Sequence, residues 1–405
     1  MQGHSIQFYD KMKAKNSHKI GVILMPWRSK TVEKIREEFV QAAALSNNFS
    51  SLCREFGITR KTGKKWVERA LLGYALSDRS RAPHSVPGRT SEETEKLIVD
   101  LRLANPGFGA KKIRTILEKQ GTPNLPCIKT VNNILNRYGL ISPEESLKHK
   151  PYVRFERDKC NDLWQTDFKG EFKTADGNYC FPLDIIDDHS RFLIKISAFK
   201  NTQNVVISTF REAFYEFGMP RSVLSDNGGQ FAGFRHGFTR FEKWLMDHDV
   251  LPVHGRVKHP QTQGKIERFH RSMKSELLNH TVFDDVSDAQ RQLREWGKRY
   301  NEVRPHEALG MRCPSEVYVP SERQYCDSVK PFEYDPTYHL IKVNKWGYVR
   351  FAHFQIFLSE TFVGDYIQFR PNPDGNSFLA CYRNFIIAEF STHDGKLIHR
   401  SISRM

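Results

Sequence analysis

From Asn161 onward the sequence breaks into short apolar runs, LWQTDFKGEFKT, YCFPLDII and FLIKISAF, separated by DGN and DDHSR turns. Runs of this length bounded by turn signals read as strands, and tight turns between them make the neighbours antiparallel. The stretch NTQNVVISTFREAFYEFG then takes helical spacing, with Val205, Phe210, Phe214 and Phe217 on one side. SVLSD follows as a short buried strand, which a helical crossover leaves parallel to the first. Three antiparallel strands, a helix and a parallel strand admit few folds, all of them a mixed sheet covered by helices.

Two of these strands carry an acid near their ends: Asp167 in LWQTDF and Asp226 in VLSDNGGQF. A third acid, Glu267, stands in HPQTQGKIERFHRSMKSELL among Lys258, Lys265, Arg268, Arg271 and Lys274, where an isolated carboxylate needs a reason. Ile266, Phe269, Met273 and Leu277 recur at helical offsets and form one apolar face. Glu267, His270, Arg271 and Lys274 fall on the neighbouring face, so the helix can bury one side on the sheet and still turn a carboxylate toward the strand ends. Three such acids suit a hard divalent cation, which takes oxygen ligands and keeps several waters. Singly, each has a plain alternative: Asp226 as a turn aspartate before Asn-Gly-Gly, Asp167 as a strand-edge charge, Glu267 as a solvated helix residue. Asp187 and Asp188 are rival ligands but read better as turn or capping residues, and His189 as a hydrogen-bonding turn residue.

WQTDF, IDDHSRF, LSDNGGQF, HPQTQGKIERFHRSMKSEL and RPHEALG occur in this order, and together they resemble the DDE catalytic core of retroviral-type integrases and the related bacterial insertion-sequence transposases. The resemblance covers roughly residues 161 to 320. It implies a ribonuclease-H-like α/β core over 151–320, in which Asp167, Asp226 and Glu267 are catalytic and hold two Mg²⁺ ions, with Mn²⁺ as a substitute. The implied substrate is double-stranded DNA, at the element's ends and at the target, and no small molecule. Water would nick the element's end and the freed 3′-hydroxyl would join it to target DNA, in a homo-oligomer that pairs two ends. Between Asp226 and Glu267 lie 40 residues, more than the family pattern often has, and the surplus falls around AGFRHGFTRFEKWLMDHD. KHPQTQGK reads as a loop that orders on DNA, with Lys258, Gln261, Gln263 and Lys265 as contacts beside Arg268, Arg271 and Lys274; an ordinary surface loop is the alternative. Arg304, His306 and Glu307 of RPHEALG are expected to stabilise helix packing.

At 405 residues the chain needs several domains. Its formal charge of +15 points to a polyanionic partner. The distribution says more, because residues 1–150 carry 27 basic against 14 acidic side chains, whereas 151–250 carry 13 against 15. Residues 1–30 are irregular. Residues 31–76 read as a helix-turn-helix domain, with Ser50 or Ser51 capping one helix, Gly57 at the turn and Thr59 capping the next, which holds Trp66 and Val67 inward. Arg60, Lys61, Lys64 and Lys65 then lie on its exposed side, where DNA contacts are made; a solvated basic helix is the alternative. A Ser/Pro/Arg-rich linker spans 77–90. Residues 91–150 read as a second helix-turn-helix-like domain, opened by a Ser91-capped helix carrying Leu97, Ile98 and Leu101. After a helix with Leu293, Trp296 and Tyr300 inward, residues 331–405 turn β-rich and suggest a small C-terminal β-barrel.

The fold class is therefore multidomain α+β. Seven cysteines without a CxxC pair read as reduced thiols, with no structural zinc, in a cytoplasmic, nucleoid-associated protein. No apolar run is long enough for a membrane span. The rival functions are a catalytically inactive, transposase-derived DNA-binding regulator and a nuclease acting on RNA–DNA hybrids; the tandem helix-turn-helix pattern favours duplex DNA. A retroviral origin lacks the paired His and Cys of a zinc module.

Overall fold

A computed structural model describes residues 31–78, 89–141, 157–233, 237–255, 264–373 and 375–405. The irregular amino-terminal segment, most of the linker, and Lys258, Gln261 and Gln263 lie outside the described residues. The chain divides into two compact units, Met1–Arg89 and Thr90–Met405.

Among its described residues the first unit holds three helices: α1 (Val32–Leu45), α2 (Phe49–Glu55) and α3 (Arg60–Leu71). Phe39, Leu52, Cys53 and Trp66 close its small core, while Ile35 is exposed. Thr59 caps α3 through the Thr62 amide, as the sequence suggests, but α2 begins one residue earlier than Ser50 and is capped by Asn48, whose side chain accepts from the Ser51 amide at 3.1 Å. Asn competes well with Ser at this position, so the local sequence left the choice open.

The second unit opens with α4 (Glu92–Ala104), α5 (Ala110–Lys119) and α6 (Ile128–Arg137), packed through Ile98, Ile113, Leu117, Val131 and Leu135. Ser91 caps α4. Ile98 is fully buried and Leu101 half-buried, but Leu97 is exposed, because the inward stripe of α4 is narrower than its apolar content.

A mixed sheet follows, built from β1 (Trp164–Phe168), β2 (Phe172–Lys173), β3 (Tyr179–Asp187), β4 (Leu193–Phe199), β5 (Ser222–Ser225) and β6 (Leu251–His254). β3 lies antiparallel to β1, β2 and β4; β5 pairs parallel with β1, and β6 parallel with β5. One face is covered by α7 (Val206–Phe217) and α8 (Arg240–Asp247), with Phe210, Phe214, Phe241 and Leu245 against Trp164, Leu183 and Val223. The other is covered by α9 (Gly264–Met273) and α10 (Val286–Glu302), with Ile266, Phe269, Leu293, Trp296 and Tyr300 against Ile186, Leu193 and Ile196. Helices on both faces explain why β3 and β5 are buried along almost their whole length. A π-helical turn, Lys274–Leu278, extends α9.

The remainder is antiparallel. β7 (His339–Lys342), β10 (Tyr366–Pro371), β11 (Ser377–Tyr382), β12 (Phe385–Ser391) and β13 (Leu397–His399) run side by side, β14 (Ser403–Arg404) pairs with β12, and β8 (Tyr348–Phe351) pairs with β9 (Phe354–Phe357). Their core takes in Phe238 and Met246 from the segment before β6. Polar ties reinforce that seat: Asn384 donates to Asp249 at 3.0 Å, Lys243 stands 3.3 Å from Asp365, and Arg404 stands 2.9 Å from Asp249.

Candidate active site

Asp167 sits on β1 and Asp226 immediately after β5, its parallel neighbour, so sheet topology brings together two acids far apart in sequence. Asp226 is held in a local turn: its Oδ1 accepts from the Gly228 amide at 2.9 Å. A Cβ on Gly228 would lie 2.9 Å from that same oxygen, so the close approach accounts for the glycine at 228. Asp167 is mostly buried, and burial pushes its carboxyl up to about 6; the His270 ring opposes this, while the charges of Asp226 and Asp184 add to it.

Glu267 is exposed on the first turn of α9, in a patch with Arg268, Arg271 and Lys274, all exposed. The expected apolar face is inward, with Ile266, Phe269 and Met273 fully buried. Lys265, expected as a DNA contact, has its ammonium paired with the buried Asp188. Asp188 also accepts from Gln165 Nε2 at 2.7 Å and from the Arg157 amide at 2.9 Å, so it does more than cap a turn. Gln165 Oε1 in turn accepts the Ile266 amide at 3.2 Å. The start of α9 is thereby tied to β1 and to the β3–β4 turn. Asp187 caps that turn through the Ser190 amide and hydroxyl, and His189 bonds the Arg157 carbonyl.

His270, expected on the face beside the apolar stripe, is buried: it is 9% exposed, its Nε2 lies 2.8 Å from Asp184 Oδ2, and its Nδ1 lies 3.9 Å from Asp167 Oδ2. The apolar pattern could not reveal this inward polar residue; the single acid within YCFPLDII was the available signal.

Among the described residues, no group of three or more His, Cys, Asp and Glu side chains stands ready to hold a metal ion. Mg²⁺ asks for less, because it is commonly held by one or two carboxylates plus substrate phosphate and water. The donor set fits it: Asp167 and Asp226 are hard oxygen donors whose mutual repulsion a cation would relieve, and Glu267 is on the helix fastened beside them.

Residues 157–260 and 248–314 each match a family model described as an integrase core domain. Over 256 residues, 61% of this chain and 70% of the relative, the sequence is 23% identical to an uncharacterized 39.2 kDa protein of insertion element IS476 from Xanthomonas euvesicatoria. Over 291 residues, 65% of this chain and 92% of the relative, it is 26% identical to transposase InsD of insertion element IS2 from Escherichia coli. The integrase-core matches and the insertion-sequence relatives support a DDE transposase with an integrase-type core. The same matches support a polynucleotidyl transferase of the DDE type. The integrase core aligns with the HTLV-2 integrase catalytic core domain solved in complex with magnesium, over 40% of this chain and 97% of that one, at 17% identity and a TM-score of 0.30. No helix among the described residues is long and apolar enough to cross a membrane.

Proposed function

We propose that this transposase binds the terminal inverted repeats of its mobile element, cleaves the 3′ ends and transfers them to target DNA, with Asp167, Asp226 and Glu267 as catalytic residues and metal ligands. The observation that carries this reading is the pair of acids on adjacent parallel strands beside a helix that bears the third. Two Mg²⁺ ions held there would activate the attacking oxygen and stabilise the leaving oxygen of an in-line displacement. The chain's own part is to hold the oxygens in place: Gly228 fixes the Asp226 side chain, and Gln165 and Asp188 fix the first turn of α9. Arg268, Arg271 and Lys274 surround Glu267 with positive charge suited to the phosphate backbone.

In the same reading α1–α3 and α4–α6 are DNA-binding units of helix-turn-helix type, and Arg60, Lys61, Lys64 and Lys65, all exposed on α3, contact DNA. The C-terminal strands form a barrel-like module, and the active species is a homo-oligomer on paired ends. A strand-transfer assay with a labelled element end, a target plasmid and Mg²⁺ tests the proposal. Joined product that vanishes on chelation supports it; DNA binding with neither nicking nor joining makes the chain a regulator instead.

A further inference from the structure

Asp167 and Asp184 are register partners on the antiparallel strands β1 and β3. Like charges directly opposite one another destabilise a sheet, and a buried carboxylate is costly unless it is satisfied. Asp184 is fully buried, and one of its oxygens, Oδ1, has no hydrogen-bond partner among the described residues. Its other oxygen holds the His270 ring at 2.8 Å, and the opposite ring nitrogen faces Asp167 at 3.9 Å. The imidazole is thus interposed between the two acids. It also stands three residues after Glu267, on the next turn of the same helix, so whatever fixes His270 against β1 and β3 also fixes how far Glu267 stands from Asp167.

We infer that His270, held by Asp184, is a positioning residue of the catalytic centre, which braces the Asp167 carboxylate and sets the distance between the first and third acids. The inference rests on the reading of Asp167, Asp226 and Glu267 as metal ligands. Partners of ligating carboxylates behave in this way generally: they orient the ligand, and their loss weakens metal binding by about 10–100-fold. A packing role alone also accounts for a buried histidine, since His270 lies 6.0 Å from the Phe269 ring. The two roles differ in what a substitution moves: packing changes the melting temperature of the metal-free protein, whereas positioning changes metal affinity.

The test is Mn²⁺ binding to the full-length protein without DNA, followed by electron paramagnetic resonance, with thermal melting in parallel. His270→Ala is expected to weaken binding by about 10–100-fold and to shrink the Mn²⁺-induced rise in melting temperature, and Asp184→Asn to do so in the same direction. If His270→Ala does not fold, His270→Gln carries the test: it keeps a donor for Asp184 and withdraws the second ring nitrogen from Asp167. Unchanged Mn²⁺ affinity in the folded His270 variant, beside lost binding in Asp226→Asn, overturns the positioning role alone. Unchanged affinity in Asp167→Asn and Asp226→Asn as well overturns the metal site on which it rests.

Discussion

Asp167 on β1 owes its raised proton affinity first to burial and then, against the opposing His270 ring, to the charge of Asp226 at the end of the neighbouring strand β5. Asp167 therefore keeps its proton up to about pH 6 in the folded, metal-free protein, against 3.8 as its ordinary value. The folded state binds the extra proton between those values, so this group's contribution to stability is complete below pH 4 and is lost as pH rises through 6. The difference is on the order of 3 kcal/mol. A divalent cation at the site replaces the proton and offsets the loss. The expected outcome is a larger Mg²⁺-induced rise in melting temperature at pH 7.5 than at pH 5.5, read by differential scanning fluorimetry. An equal rise at both values counts against metal binding at Asp167.

Asp226→Asn keeps the turn acceptor for Gly228 and removes the charge. Metal-assisted stabilisation of a phosphoryl transition state amounts to several kcal/mol, so strand transfer is expected to fall by more than about 100-fold while circular dichroism is unchanged. Substantial retained joining by the folded variant would remove Asp226 from the site.

Arg304 is buried with Glu276: its Nε donates to Glu276 Oε1 at 2.8 Å and its Nη2 to Ser272 Oγ at 2.8 Å. Lys112 of α5 stands close by, pushed down to about 7 by burial and the Arg304 charge, and a Cβ on Gly107 would meet Glu276 Cγ at 2.5 Å. Arg304→Ala strands a buried carboxylate, which typically costs about 3–5 kcal/mol. Urea denaturation followed by tryptophan fluorescence should show the loss, and a change below 1 kcal/mol, on the order of a surface pair, would contradict the burial argument.

Gly63 lies within α3, where Ala would ordinarily be better by about 1 kcal/mol. Here a Cβ would sit 2.8 Å from Cys53 Sγ and 2.9 Å from Phe39 Cζ, inside the core of the first unit. Overpacking of this kind costs about 1–3 kcal/mol, so Gly63→Ala is expected to destabilise. A melting temperature that rises would show that α1 and α2 yield at this contact.

Lys61 and Lys64 are exposed on α3. If both touch phosphates, replacing them with Ala lowers the slope of log affinity against log salt by about 2, which fluorescence anisotropy over a salt series measures. An unchanged slope places the DNA elsewhere.

The sheet and its helices were legible from residues 161 to 302 because the strand runs are short, the turns are Gly-, Asn- and Asp-marked, and the inward residues of α7, α9 and α10 are large and periodic. The nearness of Asp167 and Asp226 was readable once β5 was taken as parallel to β1. The polar scaffold around them was not. Gln165, Asp184, Asp188 and His270 are buried polar residues whose partners lie 23 to 101 positions away, and no local period encodes such pairings. The pairing of Lys265 with Asp188 is hidden for a related reason, because a lysine in a basic stretch looks solvated until its buried partner is known. The Asn48 cap was missed because Asn48, Ser50 and Ser51, within four positions, are all competent to cap.

The long interval between Asp226 and Glu267 is more than spare chain. Phe238 and Met246 within it are covered by the C-terminal strands, and Asp247 and Asp249 are bonded to Tyr382, Asn384 and Arg404. Insertion and tail form a matched lock and key inside one polypeptide. A chimera that borrows only the tail from a relative with a shorter interval inherits a sheet with nothing to rest on, and one that borrows only the interval inherits two greasy side chains facing water. Grafts between such proteins should carry both segments or neither.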